Sequence, residues 1–272
     1  MFSDTPLPPE EPTGENPPDG AIIDYYLSKT AQDIKLEILD ADDNLVRSYT
    51  SNDGPDEIDS TLLPHPMYWV RPFSSLGTEQ GHQRFVWDLR HTPPPGARKA
   101  FAIAAVLNQT PSGPSGPFVH PGSYKVRLNV DGEISEKSIV VRLDPRVMIS
   151  EADVSAQTDL SMKCYDGYLS LQEIRDKIDT KMDDPNASWE AGQQEKLLKL
   201  RGAGDPSGGD MLYGSISDTP AESETIVGLQ HKFLFMLNVL QSADAKPTEQ
   251  AREGVETMGE RLEEIRNRWD EL

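Results

Sequence analysis

Apolar and polar residues alternate at every second position in several short segments between residues 20 and 147. Ile34, Leu36 and Ile38 alternate with Lys35 and Glu37, which is the pattern of a strand buried on one face. Because polar turns separate about six or seven such segments and no helical period lies among them, residues 20–147 are predicted to form an all-β sandwich of the immunoglobulin or fibronectin type. The other strand-like segments are 21–27, 45–49, 84–90, 124–130 and 139–143.

The apolar period lengthens to three or four residues after Val147. Residues 150–182, 226–240 and 251–269 carry apolar stripes at this spacing, and a weaker stripe covers 188–200. Such stripes are typical of amphipathic helices. Because short links between successive helices make them antiparallel neighbours, the sequence predicts an all-α antiparallel helical bundle over residues 148–272, with three long helices and one short helix.

Proline is concentrated in the segments outside these elements. Residues 1–19 contain six prolines at positions 6, 8, 9, 12, 17 and 18, and we expect a Pro-rich linker there. The connections 50–83 and 91–121 are long, and long loops in compact domains are often functional or mobile. Segment 91–121 holds two Pro and Gly clusters, which are expected either to pack over the sheet or to remain loose.

The charge balance excludes some classes of partner. The chain of 272 residues has a formal net charge of −20, and both halves are acidic. Nucleic-acid binding needs clustered Lys and Arg, and binding to an anionic membrane surface needs them too. No apolar run is long enough for a transmembrane helix, and the first residues lack the basic and apolar regions of a signal peptide. We therefore expect neither nucleic-acid binding nor membrane insertion.

Motifs that carry chemistry are missing from the sequence. No two histidines have the spacing of metal ligands, and no phosphate-binding loop, nucleophile elbow or dinucleotide fingerprint occurs. Cys164 lies on an apolar helical stripe, where a buried small hydrophobe is expected. Asp40, Asp42 and Asp43 can be interpreted as calcium ligands, although a solvated hairpin turn is the favoured interpretation. We predict no catalytic residue, no metal site and no cofactor.

One aromatic group lies in a predicted loop. Tyr68, Trp69 and Phe73 occur within seven residues, Met67 to Phe73. Aromatic side chains on a loop can stack on sugar rings or anchor a protein partner. The alternative is that they close the open end of the sandwich, and the sequence favours that alternative. These three residues are nevertheless the candidate ligand-binding residues.

Several motifs together resemble a known family. They lie at 16–27 (NPPDGAIIDYYL), 84–90 (RFVWDLR), 121–128 (PGSYKVRL), 144–147 (DPRV) and 240–248 (LQSADAKPT). In this order they resemble the C-terminal region of secreted bacterial proteins that carry BNR-repeat β-propellers of the sortilin type, which are often labelled glycosyl hydrolases. The strand part also resembles the immunoglobulin-like fold of flagellar hook-capping proteins, through an Ile-Leu-Asp hairpin, a Trp-Asp strand and a Pro-Gly-x-Tyr strand.

The family resemblance implies an accessory region that follows a propeller and lies outside the cytoplasm, in the periplasm or secreted. Any sugar chemistry of that family would reside in the propeller, so the resemblance transfers no catalytic residue, and fold analogy alone does not transfer activity. We therefore expect a non-catalytic accessory or interaction module that packs against a β-propeller or another protein. The alternative is a carbohydrate-binding module that uses Tyr68, Trp69 and Phe73, with a glycan as its ligand.

Overall fold

The computed structural model describes residues 18–55, 58, 60, 63, 65–101, 110–206 and 224–272. Residues 1–17 of the predicted linker lie outside the described residues, as do parts of the two long connections. The described chain contains two antiparallel sheets of six strands in total, one further pair of two-residue strands and four α-helices, so the fold is a mixed β and α arrangement. Among the described helices, none combines the length and apolar character needed to cross a membrane.

The chain divides into two compact units. Unit 1 contains the chain up to Thr92 together with Phe101–Ser112 and Phe118–Pro145. Unit 2 contains Arg146–Leu272 and two earlier segments, Pro93–Ala100 and Gly113–Pro117. Two pieces of the long connection 91–121 therefore belong to the helical unit.

Unit 1 is built on two sheets. The two-stranded sheet pairs β1 with β4, and the four-stranded sheet has the order β3-β2-β7-β8. All pairs within these two sheets are antiparallel. A further pair of two-residue strands is formed by β5 and β6. The strands are β1 Ala21–Leu27, β2 Ile34–Leu39, β3 Leu45–Thr50, β4 Gly81–Trp87, β5 Ala100–Phe101, β6 Ser112–Gly113, β7 Gly122–Val130 and β8 Glu133–Val141.

Local turn chemistry explains two of the hairpins. Between β2 and β3, the Asp40 carboxylate accepts hydrogen bonds from the backbone N–H groups of Asp42 at 2.9 Å and Asn44 at 2.8 Å. Between β7 and β8, Asp131 and Gly132 both have positive φ, 51° and 93°. A two-residue hairpin of this kind requires positive φ at both positions, and aspartate and glycine are among the residues that tolerate it.

The core of unit 1 receives side chains from both of its larger sheets. Trp87 of β4 is fully buried, and so are Ile34, Leu36 and Ile38 of β2. The Trp87 ring meets Tyr124 of β7 edge to face, with ring centroids 5.7 Å apart. The indole N–H of Trp87 donates to the Arg90 carbonyl at 3.1 Å, so its one polar atom is satisfied inside the core.

Unit 2 holds the four helices. They are α1 Glu151–Asp183, α2 Gln193–Arg201, α3 Ile226–Leu240 and α4 Glu249–Asp270. Three of them begin at a side-chain cap, in which Ser150, Thr225 or Thr248 accepts a hydrogen bond from a backbone N–H in the first turn. The apolar stripes of all four helices contribute to one core, in which Cys164 is fully buried.

A proline-rich segment is fixed to α1 by polar side chains of unit 2. The Tyr168 hydroxyl donates to the Pro95 carbonyl at 2.5 Å, and the Arg175 guanidinium donates to the Gly96 carbonyl at 3.4 Å. Arg175 is only 6% exposed and also forms an ion pair with Asp205. The first Pro and Gly cluster of connection 91–121 therefore packs within the helical unit, which the sequence did not predict.

Candidate functional site

The predicted aromatic group lies on a segment that is held by backbone hydrogen bonds. Met67–Trp69 forms one 3₁₀ turn, with Pro66 before it in an extended conformation. The fully buried residue Thr110 forms a parallel β-bridge with Val70, which follows this turn. Its N–H donates to the Trp69 carbonyl at 2.9 Å, and its carbonyl accepts from the Arg71 N–H at 2.8 Å. The backbone that carries the aromatic side chains is therefore fixed by a residue distant in sequence.

Four rings of unit 1 form a contiguous series. The His65 ring stacks on Trp69 with centroids 5.7 Å apart and an interplanar angle of 28°. Trp69 meets Tyr68 nearly at right angles, at 6.3 Å and 87°. His65 also contacts Phe101 edge to face at 6.3 Å. Trp69 therefore contacts two other rings, those of His65 and Tyr68.

Exposure separates the three predicted ligand-binding residues. Tyr68 is 61% exposed and Phe73 is 48% exposed, whereas Trp69 is only partly exposed. Met67, next to Tyr68, is 46% exposed. In the described part of the chain Phe73 makes no ring contact with Tyr68 or Trp69. The structure thus joins Tyr68 and Trp69 in one contact and places Phe73 four residues beyond the pair as a separate exposed ring.

Polar groups lie beside and beneath this aromatic segment. The guanidinium of Arg71 forms an ion pair with Asp19 at 3.4 Å, and the two side chains are 42% and 70% exposed. His65 is 8% exposed, and its Nε2 atom has no hydrogen-bond partner among the described residues. His65 and Phe101 were not among the predicted site residues, because nothing in their sequence positions shows that His65 contacts Trp69 or that Phe101 contacts His65.

A second exposed surface follows the edge of the four-stranded sheet. Among the strands that the structure describes, β8 pairs with β7 alone, over nine residues. Ile134 and Val140 are 63% and 55% exposed. They lie on the outer face of β8, since Ile139 and Val141, which have the opposite parity, pack against the core of unit 1. The sequence predicted a strand over 139–143, which overlaps β8 only at residues 139–141. Its place at the edge was not predicted, because that place depends on the order of all four strands.

The other chemical candidates have local structural roles. The Asp40 carboxylate is engaged by backbone N–H groups of its own turn and by the Asn44 side chain. Within the described residues no three metal-ligating side chains come together. Burial raises the pKa of the Cys164 thiol to about 12, so this thiol is protonated at neutral pH and is a poor nucleophile.

Comparisons with family models, with curated proteins and with solved structures found no match to this chain. The resemblance to the region that follows a BNR-repeat propeller therefore stays a prediction based on the motifs themselves.

Proposed function

We propose that this chain is a non-catalytic accessory module that acts by contact with another protein. In this proposal, unit 1 is an immunoglobulin-like or fibronectin-like sandwich and unit 2 is an antiparallel helical bundle. The observation that carries the proposal is the β8 edge, which exposes two large apolar side chains, Ile134 and Val140, along a nine-residue strand.

An edge strand offers a row of backbone N–H and C=O groups to another chain. Addition of a strand at such an edge gains main-chain hydrogen bonds, while alternate side chains provide specificity. Burying a whole Val or Ile side chain contributes about 1.5–3 kcal/mol. Since Ile134 and Val140 are more than half exposed, their burial in a complex contributes about 1–2 kcal/mol each.

The charges of the strand favour a different protein over a second copy as the partner. Antiparallel pairing of β8 with itself, centred on the strand, places Ile134 opposite Val140, but it also places Lys137 opposite the same lysine of the other copy, and like charges in that position are destabilising. A formal net charge of −20 on each chain adds repulsion. Glu136 is already neutralised by Arg127 at 2.7 Å, so the strand itself presents little net charge to a heterologous partner.

The order of the motifs along the chain supports a β-propeller as this partner. The five motif segments are spread along the chain from Asn16 to Thr248, in the order that the resemblance to the region after a BNR-repeat propeller implies. In this proposal the module braces or assists such a propeller and works outside the cytoplasm, in the periplasm or after secretion.

Site-specific photocrosslinking of the whole chain in its source cells tests the proposal. A photoreactive phenylalanine analogue at Val140 is expected to give one discrete protein adduct. The same analogue at Tyr26, which is 73% exposed on β1 of unit 1, is the matched control and is expected to give none. Ile134→Lys is expected to reduce the adduct from position 140, because it places an unpaired charge in the contact. No adduct at position 140, or the same adduct from both positions, would contradict the proposal.

A further inference from the structure

We infer that unit 2 carries a recognition slot for a proline-rich peptide segment and that the chain's own strap, Pro93–Ala100, occupies it. The slot consists of three side chains of α1, those of Tyr168, Gln172 and Arg175, and all three are buried. Strap and slot both belong to unit 2, so the inference is independent of the contact proposed at β8. A proline-rich segment of another protein reaches the slot only after the strap has left it.

The slot binds the strap through backbone carbonyl groups. The Tyr168 hydroxyl donates to the Pro95 carbonyl at 2.5 Å, and the Arg175 guanidinium donates to the Gly96 carbonyl at 3.4 Å. Because proline has no backbone N–H, a run of prolines offers carbonyl acceptors and needs donor side chains such as these two. Proline also fixes its own φ, so a segment of this kind loses little conformational entropy when it binds.

The Pro95-Gly96 turn restricts which proline-rich segments fit. Residues 95–96 form a turn in which Gly96 has a φ of +66°, and proline followed by a glycine of positive φ is the residue pattern of a type II turn. A Cβ at Gly96 would lie 2.9 Å from Nε2 of Gln172. The Gln172 amide is held by hydrogen bonds with Asp176 at 2.7 Å and Gln230 at 2.9 Å. The slot therefore selects a segment in which glycine directly follows the prolines.

The slot side chains have partners outside the strap. Asp176 on α1 and Gln230 on α3 position Gln172. Arg175 forms an ion pair with Asp205, in the loop after α2, and its Nε lies 3.6 Å from the carboxylate of Asp179 on α1. Since these partners do not belong to the strap, the slot keeps its arrangement when the strap leaves.

The contacts that the structure describes for the strap can break while the helices stay folded. Besides the two carbonyl bonds, the Arg98 N–H donates to the Pro206 carbonyl at 2.8 Å. Pro94 is buried, whereas residues 95–96 and 98–99 are exposed. A segment with this little burial opens locally at a lower free-energy cost than a core helix. A peptide that competes with the strap then binds with an affinity reduced by the fraction of open slots.

Gly96→Ala in the whole chain tests the inference, because it weakens the strap and leaves every slot side chain in place. The left-handed φ and the approach to Gln172 are expected to raise the open fraction about tenfold. Trypsin cleavage after Arg98 and Lys99, followed by mass spectrometry, reports this fraction when opening and closing are faster than cleavage. Fluorescence anisotropy with a labelled synthetic peptide of residues 91–100, HTPPPGARKA, reports the free slot. The cleavage rate and the apparent affinity for the peptide are expected to rise by the same factor, about tenfold.

Two further variants separate recognition from general loosening. Gly192→Ala is the matched control, because Gly192 of unit 2 has a similar φ of +76° but a Cβ there meets nothing within 4 Å; it is expected to change neither quantity. Tyr168→Phe removes one slot donor and weakens strap and peptide alike, so cleavage is expected to rise about fivefold while the apparent affinity stays the same. Faster cleavage of Gly96→Ala without peptide binding, equal peptide binding by Gly96→Ala and the wild-type chain, or the same effects in Gly192→Ala would overturn the inference.

Discussion

A single methyl group at Gly167 is predicted to destabilise unit 2, although the same change usually stabilises a helix. Gly167 lies inside α1, and replacing an interior helical glycine by alanine normally contributes about 0.5–1 kcal/mol of stability. Here, a Cβ atom would lie 2.5, 2.8 and 2.9 Å from three carbon atoms of the Phe233 ring. Phe233 belongs to α3 and is 2% exposed, so its ring has little room to move. Overpacking of this kind costs about 1–3 kcal/mol.

The overpacking cost therefore exceeds the helix-propensity gain, and Gly167→Ala is expected to lower the free energy of unfolding by about 1 kcal/mol. Gly259 of α4 is the matched control, because a Cβ there meets nothing within 4 Å. Gly259→Ala is expected to stabilise the protein by about 0.5–1 kcal/mol. Urea unfolding of the whole chain, followed by the helical circular dichroism signal, measures both changes.

A double-mutant cycle tests the physical cause. On a Phe233→Leu background the ring is absent, so Gly167→Ala is expected to become neutral or stabilising, with a coupling energy of at least about 1 kcal/mol. The reasoning is refuted if Gly167→Ala is as stable as the wild-type chain, or if its cost persists unchanged when Phe233 is replaced.

Three further predictions concern buried or paired ionisable groups. Asp205→Asn is expected to lower the free energy of unfolding by about 1–3 kcal/mol, because it removes a carboxylate from the buried guanidinium of Arg175. Arg175→Met is expected to lower it less, because this change removes the buried charge itself. Urea unfolding of the two variants compares these effects. The Cys164 thiol, buried and with its pKa raised to about 12, is expected to react with a disulfide reagent at pH 8 only as fast as unit 2 opens, so a rate equal to that of the unfolded chain would contradict its burial. Backbone N–H groups of Asp33 and Gln32 donate hydrogen bonds to the Asp131 carboxylate and lower its pKa. This carboxylate therefore stabilises the folded state above its ordinary pKa, and the stabilisation is lost as the pH falls through the lowered value. Asp131→Asn is expected to flatten the acid side of a plot of unfolding free energy against pH, and an unchanged acid side would argue against the lowered pKa.

Local patterns were sufficient for most secondary-structure elements. The period-2 alternation of Ile34, Leu36 and Ile38 predicted β2, since side chains on one face of a strand must be apolar where that face is buried. The spacing of the apolar stripe predicted α1, which the structure extends from Glu151 to Asp183. These elements depend on neighbouring residues alone, so the sequence contained the needed information.

Features that depend on distant contacts were not predictable in this way. The Pro93–Gly96 segment was expected either to pack over the sheet or to remain loose, but it is bound by Tyr168 and Arg175 on α1. Those two residues are more than 70 positions away, and no local pattern connects them to the prolines. The place of β8 at a sheet edge likewise follows from the strand order β3-β2-β7-β8. The residues of one strand do not determine this order.

The exposure of the side chains in the candidate aromatic site also depends on contacts from outside the motif, so the local sequence did not predict it. The sequence identified Tyr68, Trp69 and Phe73 as a group, because aromatic residues on a loop are common binding anchors. Size alone would make Trp69 the main contact, but its ring is stacked on His65 and only partly exposed. Tyr68, the smaller ring, has the larger exposed fraction at 61%. Which aromatic residue of the motif is exposed therefore depends on the rings that pack against it, and one of these, His65, lies outside the motif.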